Sequence, residues 1–249
     1  MNGSVSGNRG GLLFLGLFLA LGMVVSSYLV SSTVQRVKLA NQTIRVKGYT
    51  ERQITSDIVE WRGEVQTRDP DLVTAYSRLE KDFGEVLAFI QKQGISGEEI
   101  KISPVSTRTL YKKTEKGSNT NEIEGYVLEQ AIEIHSGNVE LVSRLSRETT
   151  SLIRRGIHFS AGDPKYFCSR INDIKIELLG EATRNALLRA QQLARNSGSE
   201  VGSLRSCSQG VFQITPLYST DVSNYGRYDT GTIEKAAKAV VTVEYSIRQ

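Results

Sequence analysis

The sequence predicts an α+β fold: a largely antiparallel sheet carrying two long helices and one short helix, built as two strand-helix-strand-strand halves. Three observations lead there. Residues 59 to 65 alternate apolar and polar, the period of a half-buried strand. Apolar residues recur at spacings of three and four from Leu72 to Ile90 and from Ile174 to Ala194, the period of a helix with one buried face. The order strand, Asp-Pro, long helix, Gly, strand, polar loop, long strand occurs twice, a pseudo-repeat too irregular for a solenoid.

The elements follow in order. Residues 10 to 35 contain no charged side chain, and about 20 apolar residues suffice for a helix to cross a bilayer. The run is longer than a usual signal core, no A-x-A pattern follows it, and Arg36 and Lys38 flank its far side. These features favour an uncleaved anchor, with a removed secretory signal as the alternative. The expected organisation is an arm at 1–9, the anchor at 10–35, a linker at 36–41 and a folded domain at 42–249. The flanking charges balance, so the positive-inside rule does not orient the anchor.

In the folded part, Val59, Trp61, Gly63 and Val65 form the dry side of a strand, and Glu60, Arg62, Glu64 and Gln66 the wet side. Residues 44 to 50 read as a shorter partner strand. Asp69-Pro70 offers a cap oxygen and a first helical residue that needs no donor; the helix that follows buries Leu72, Ala75, Tyr76, Leu79, Phe83, Val86, Leu87 and Ile90 and stops at Gly94. Residues 99 to 111 make a strand that Pro104 confines to an edge or a bulge. After a polar hairpin loop, residues 123 to 135 make a second long strand. The short helix is carried by Val139, Val142, Leu145, Thr149 and Leu152 and ends at Arg154-Arg155-Gly156, and a strand follows at 157 to 162. Asp163-Pro164 and a turn at YFCSR lead into the second long helix, 171 to 196. A strand at 200 to 213, a loop at 216 to 231 and a last strand with Ala239, Val241, Val243, Tyr245 and Ile247 inward complete the chain.

Composition narrows the function classes. With 249 residues, 39% apolar and 23% charged, the chain has a globular balance that excludes disorder as its dominant state. Outside the first 40 residues, bases and acids nearly cancel, which leaves no footprint for a phosphate backbone and argues against nucleic-acid binding. His135 and His158 sit in no metal-ligand spacing, and neither GxSxG nor GxGxxG nor GxxxxGK[ST] occurs. Glu60 and Glu64 on one strand face would stand about 13 Å apart at ~3.3 Å per residue, farther than a glycosidase pair. They read as a solvated face balanced by Arg62, with Trp61 in the core. No catalytic, cofactor-binding or metal-binding residue is assigned, and no enzyme activity is expected.

Two cysteines, Cys168 and Cys207, are too few for a disulfide scaffold and too far apart for a zinc knuckle. Outside the cytoplasm they could form one bridge; otherwise they are small residues in or near the core. Tyr218, Tyr225 and Tyr228, among Ser, Asn, Asp and Gly, make a candidate partner-contact loop.

The apolar leader, IRVKGYTERQITSDIVEWRGEVQTRD, the helix ending in QKQGIS, the strand ISPVSTRTLY, GYVLEQAIEIH, the stretch EATRNALLRAQQLARNSGSEVGSL and the final AVVTVEYSI together resemble the bacterial SIMPL-domain family over residues 42 to 249. The resemblance implies an α+β domain in the periplasm or at the cell surface, of undefined biochemical role and linked in some members to oxidative-stress tolerance. It brings no catalytic residues. This chain departs from the pattern in its anchor and in YFCS, where an aromatic residue would be expected in place of Cys168. The expectation is a single-pass inner-membrane protein with its C-terminal domain in the periplasm, or a periplasmic protein released by signal cleavage. It would bind an envelope protein partner or associate with itself as a homo-oligomer; the alternative is a redox-active thiol protein using Cys168 and Cys207.

Overall fold

The computed structural model describes residues 9–40, 42–220, 223 and 225–248. The first eight residues of the expected arm, residue 41 of the expected linker, and residues 221, 222 and 224 of the tyrosine loop lie outside the described residues. In chain order the elements are α1 (Arg9–Ala40), β1 (Thr43–Thr55), β2 (Ile58–Asp69), α2 (Leu72–Lys92), β3 (Ile100–Ile102), β4 (Ser106–Lys113), β5 (Asn119–Ser136), α3 (Val139–Glu148) and α4 (Thr150–Ile153). They continue with β6 (Phe159–Ala161), β7 (Lys165–Phe167), α5 (Ile171–Asn196), β8 (Glu200–Gln209), β9 (Gln213–Pro216), β10 (Arg227–Tyr228) and β11 (Glu234–Arg248). The fold is α+β with mainly antiparallel sheet, as expected. The chain forms two compact units: one of Thr50–Gly180 and Val211–Ala239, the other of Met1–Tyr49, Glu181–Gly210 and Val240–Gln249.

The larger unit is built around β5. β2 runs antiparallel along one side of it, from Val59↔Ser136 to Asp69↔Tyr126, and β3 and β4 pair along the other. The dry side of β2 is as the alternation requires, with Val59, Trp61 and Val65 buried. Leu128, Ile132 and Ile134 of β5 join them under Ala75, Leu79, Phe83, Val86 and Ile90 of α2, with Val142 and Leu145 of α3. Each Val, Leu, Ile or Phe among them contributes about 1.5–3 kcal/mol on full burial, so this layer is the main stabilising mass of the unit. Gly63 is required here: a Cβ would collide with the Phe159 ring, which lies 6.0 Å from the Trp61 ring between centroids.

Several expectations shift. The cap of α2 is Asp71, whose carboxylate accepts the Thr74 amide at 2.8 Å, while Asp69 bonds the Asp71 amide. The helix therefore starts two residues later, and Leu72 and Tyr76 stay exposed. The strand around Pro104 is split into β3 and β4, with Ser103 at the break exchanging bonds with the Ala131 backbone. The short helix is also split, since α4 restarts after Thr149. Within YFCSR, the first residues belong to β7 and do not form a turn.

The smaller unit holds α1 and the parts of β1, α5, β8 and β11 within its residue ranges. β11 lies between β1 and β8, paired antiparallel to β8 from Val241↔Gln209 to Arg248↔Glu200. Ala182, Ala186, Ala190 and Ala194, every fourth residue of α5, are buried. Alanine at that spacing leaves a smooth stripe on which a strand can lie close. β1 uses it at Gly48, where an added Cβ would overlap the Ala182 carbonyl oxygen.

Strand pairing corrects the expected halves. β1 neighbours β11, not β2 as expected for residues 44 to 50. The segment expected as first strand of the second half, 157 to 162, pairs as β6 with β2. β1 therefore holds beside β11 the place that β2 holds beside β5, and the first strand of the second half comes from the start of the folded part. The stretch Leu15–Thr33 of α1, 19 residues of mean hydropathy 1.8, is long and apolar enough to cross a membrane, a test that signal sequences also pass.

Candidate functional site

The far edge of β2 is paired by two short strands in succession. β7 matches Ile58↔Phe167, Val59↔Tyr166 and Glu60↔Lys165, and β6 matches Gly63↔Ala161, Glu64↔Ser160 and Val65↔Phe159. Between these registers Trp61 and Arg62 face three residues, Gly162, Asp163 and Pro164. The extra residue makes a β-bulge, a device that bends a strand and re-aims its side chains. Gly162 donates its amide to the Arg62 carbonyl at 2.9 Å, and Pro164, with no amide donor, suits an unpaired position.

The bulge opens a cavity of about 650 Å³. Its floor is the wet face of β2 and β5, where register sets the charges in pairs. Glu60 stands opposite His135 and Arg62 opposite Glu133. Arg62 Nη1 lies 2.8 Å from Glu133 Oε1 and Nη2 3.6 Å from Glu64 Oε2, and His135 Nδ1 lies 3.4 Å from Glu60 Oε1. The walls are residues 162 to 165, with Asp163 and Lys165, and the turn at Thr230 and Gly231.

That turn is anchored from below. Asp229 accepts the Gly231 amide at 3.1 Å and the Thr232 hydroxyl, and the Thr230 carbonyl accepts the Tyr166 amide at 2.8 Å. Lys235, 1% exposed, donates from Nζ to the carbonyls of Tyr166 at 2.5 Å and Asp229 at 2.6 Å. Burial pulls its pKa below the ordinary lysine value, against the opposing pull of Asp229 and Cys168. The site thus has a hydrogen-bonded wall and a floor of half-exposed, mutually paired charges of both signs. Such groups can re-pair with a ligand carrying both signs. Among the described residues no cluster of His, Cys, Asp and Glu is placed to hold a metal.

Residues 44–246 match the model of the SIMPL family, described as a protein of unknown function (DUF541). The chain belongs to this family. No curated protein matches it. The SIMPL match covers both units of the fold, and it assigns no role to any residue of the groove.

The residues singled out from this SIMPL sequence fall in separate places. Trp61 is core, as expected; its Nε1 is buried with no hydrogen-bond partner among the described residues. Cys168 follows β7 and is half-buried, Cys207 lies on exposed β8, and both carry free thiols. They belong to different units. Tyr218 and Tyr225 are exposed, at 89% and 98%. Tyr218 has φ 63°, a left-handed value uncommon for a bulky residue. Tyr228 differs from its loop neighbours: it lies in β10, parallel to β9, 6.4 Å from the Phe167 ring and 5.9 Å from Lys235 Nζ. In the sequence Glu60 and Arg62 read only as the solvated face of β2. Asp163 and Lys165 carry a signal in Gly162-Asp163-Pro164 that a strand is broken there, whereas nothing in the sequence marks Thr230 and Gly231 as walls of the groove.

Proposed function

We propose that this SIMPL protein is a membrane-tethered, extracytoplasmic binding protein that performs no catalysis of its own, and that its ligand occupies the groove over β2 and β5. The observation that carries this reading is the bulge at Gly162–Asp163–Pro164, which sets a cavity of small-molecule size over charges held at fixed cross-strand positions. Arg62 and Lys165 can meet a carboxylate or phosphate, and Glu60, Glu133 and Asp163 an amine. A compact zwitterion, such as an amino acid or short peptide, matches both sets. The tether is α1, with the folded part on the periplasmic side of the inner membrane.

Self-association of the same chain is the second part of the reading. β4 pairs with β5 and has no other strand partner among the described residues, and the cross-strand pair Tyr111↔Ile123 is exposed on both sides, at 41% and 50%. An open edge beside exposed apolar side chains favours pairing with a second copy. Light scattering on the detergent-solubilised chain tests this part, and a monomer at high concentration rejects it. For the groove, zwitterionic compounds are screened by calorimetry against the full chain and against Arg62→Gln/Glu133→Gln. Binding that falls at least tenfold in the variant supports the groove; equal binding, or none by any compound, rejects it.

A thiol-based role in oxidative-stress tolerance is the competing reading. It is favoured by the two thiols themselves, since both are free, Cys207 is exposed and Cys168 is only half-buried, and susceptibility to oxidation follows exposure. Peroxide treatment followed by peptide mass spectrometry tests it, including a Cys168–Cys207 bridge. Two unmodified thiols reject the reading.

A further inference from the structure

Charge is unevenly shared between the two units. The larger one has 24 acids and 21 bases, so it is net negative. The folded part of the smaller one, which follows α1 directly, has Arg45 and Lys47 on β1, Arg184, Arg189 and Arg195 on α5, and Arg205 and Arg248, against Glu181, Glu200 and Glu244. All seven of those cations are exposed.

Their arrangement around β1 is specific. Val46 and Gly48 face inward, so Arg45 and Lys47 stand together on the outer face. With Ser208 of β8 and Thr242 of β11 they line a depression of about 430 Å³. Arg189 of α5 fixes the strand from the helix side, its Nη1 donating to the Lys47 carbonyl at 3.2 Å. Glu244 stands beside Arg45; its carboxylate accepts the Thr43 hydroxyl at 2.6 Å and the Ser206 hydroxyl at 3.4 Å, and the Thr43 bond first, then the Arg45 charge, hold its pKa below the ordinary value. Two cations with two hydroxyls form a donor set for phosphate oxygens.

The chain also keeps this face near a bilayer. From the end of the apolar stretch at Thr33, seven helical residues rise about 10 Å, and the five residues to Arg45 reach at most about 17 Å when extended. Arg45 is thus leashed within less than one bilayer thickness of the hydrocarbon core.

We infer that the outer face of β1, β8 and β11 in the smaller unit, with Arg45 and Lys47 at its centre, is a docking surface for the phosphate headgroups of anionic lipids. The inference rests on the tether proposed above. Each basic residue held at an anionic surface strengthens binding about fivefold, so Arg45 and Lys47 together add about 25-fold for a unit that the tether already keeps close.

The test uses the full chain reconstituted into vesicles of phosphatidylcholine, with or without phosphatidylglycerol, and reads flotation and amide hydrogen exchange. The chain floats with both vesicles, which reports the tether alone. Exchange across residues 43 to 49 and 200 to 209 slows several-fold only with phosphatidylglycerol. The slowing disappears at about 1 M salt, where the screening length is about 3 Å, and in Arg45→Gln/Lys47→Gln, but not in Lys101→Gln/Lys113→Gln of the larger unit. Inorganic phosphate added to neutral vesicles does not reproduce it. Flotation with unchanged exchange in both lipids, or equal slowing by free phosphate, overturns the docking surface and leaves the tether standing; failure to float overturns the tether itself.

Discussion

Lys235 Nζ donates to the main-chain carbonyl of Tyr166 at 2.5 Å, while the amide of the same residue is bonded to Thr230. A lysine side chain thus completes, for one residue of β7, the pairing that a neighbouring strand would otherwise supply. The wall of the groove depends on it, because Lys235 also holds the Asp229 carbonyl. Lys235→Met keeps the apolar stem and leaves two carbonyls without their donor. Unfolding in urea is expected to show a loss of about 1–3 kcal/mol, the cost of a stranded buried acceptor.

The floor behaves differently. Arg62 and Glu133 are half-exposed, and pairs of that kind contribute about 0–1 kcal/mol to stability. Arg62→Gln therefore leaves the melting temperature nearly unchanged. If the groove binds the proposed zwitterion, the same substitution is expected to weaken that binding at least tenfold in calorimetry, and a large loss of stability would mean that Arg62 serves the scaffold and not the groove.

Gly48 makes a sharper packing prediction. A methyl group there overlaps main chain of α5, and main chain yields less readily than the end of a flexible side chain. Gly48→Ala is expected to cost about 2 kcal/mol or more by overpacking, measured as a lowered denaturation midpoint. Gly84, with nothing within 4 Å of its added Cβ, is the control. Gly84→Ala in the middle of α2 should stabilise by about 0.5–1 kcal/mol.

Much of this architecture could be read from short-range pattern. The alternation in β2, the apolar face of α2 and the limits of α5 are set by residues within a few positions of one another, and they stand as expected. What could not be read is which strands meet. The partner of β1 is β11, nearly two hundred residues away, and both candidate partners offer the same alternation. The cap of α2 moved to Asp71 because two aspartates flank Pro70 and either could serve. The groove was hidden for a related reason: Glu60 and Arg62 look like any wet strand face until the register brings His135 and Glu133 opposite them and the bulge opens the edge.

Glu99 supplies the pH dependence. Its carboxylate accepts the Ser136 hydroxyl at 2.5 Å and the Ser96 amide at 2.9 Å, and these bonds, Ser136 first, hold its pKa below the ordinary 4.5. The unfolded chain binds the proton more readily, so the stabilisation is fully present above about pH 4.5 and is lost as the pH falls through the lowered folded value. Glu99→Gln should be less stable than the parent at pH 7. The gap should close on acidification below pH 4.5, and a gap independent of pH would show that the bonds to Ser136 and Ser96 do not favour the charged form.

The central claim is that α1 stays on the chain and holds the binding domain outside the cytoplasm. It is tested most directly by the mass of the chain recovered from carbonate-washed membranes of bacterial spheroplasts, before and after protease is added outside. The expected result is a full-length species in the membrane that external protease trims back to the region of α1. A soluble species lacking the N-terminal segment, or a full-length membrane species that external protease leaves untouched, would contradict it.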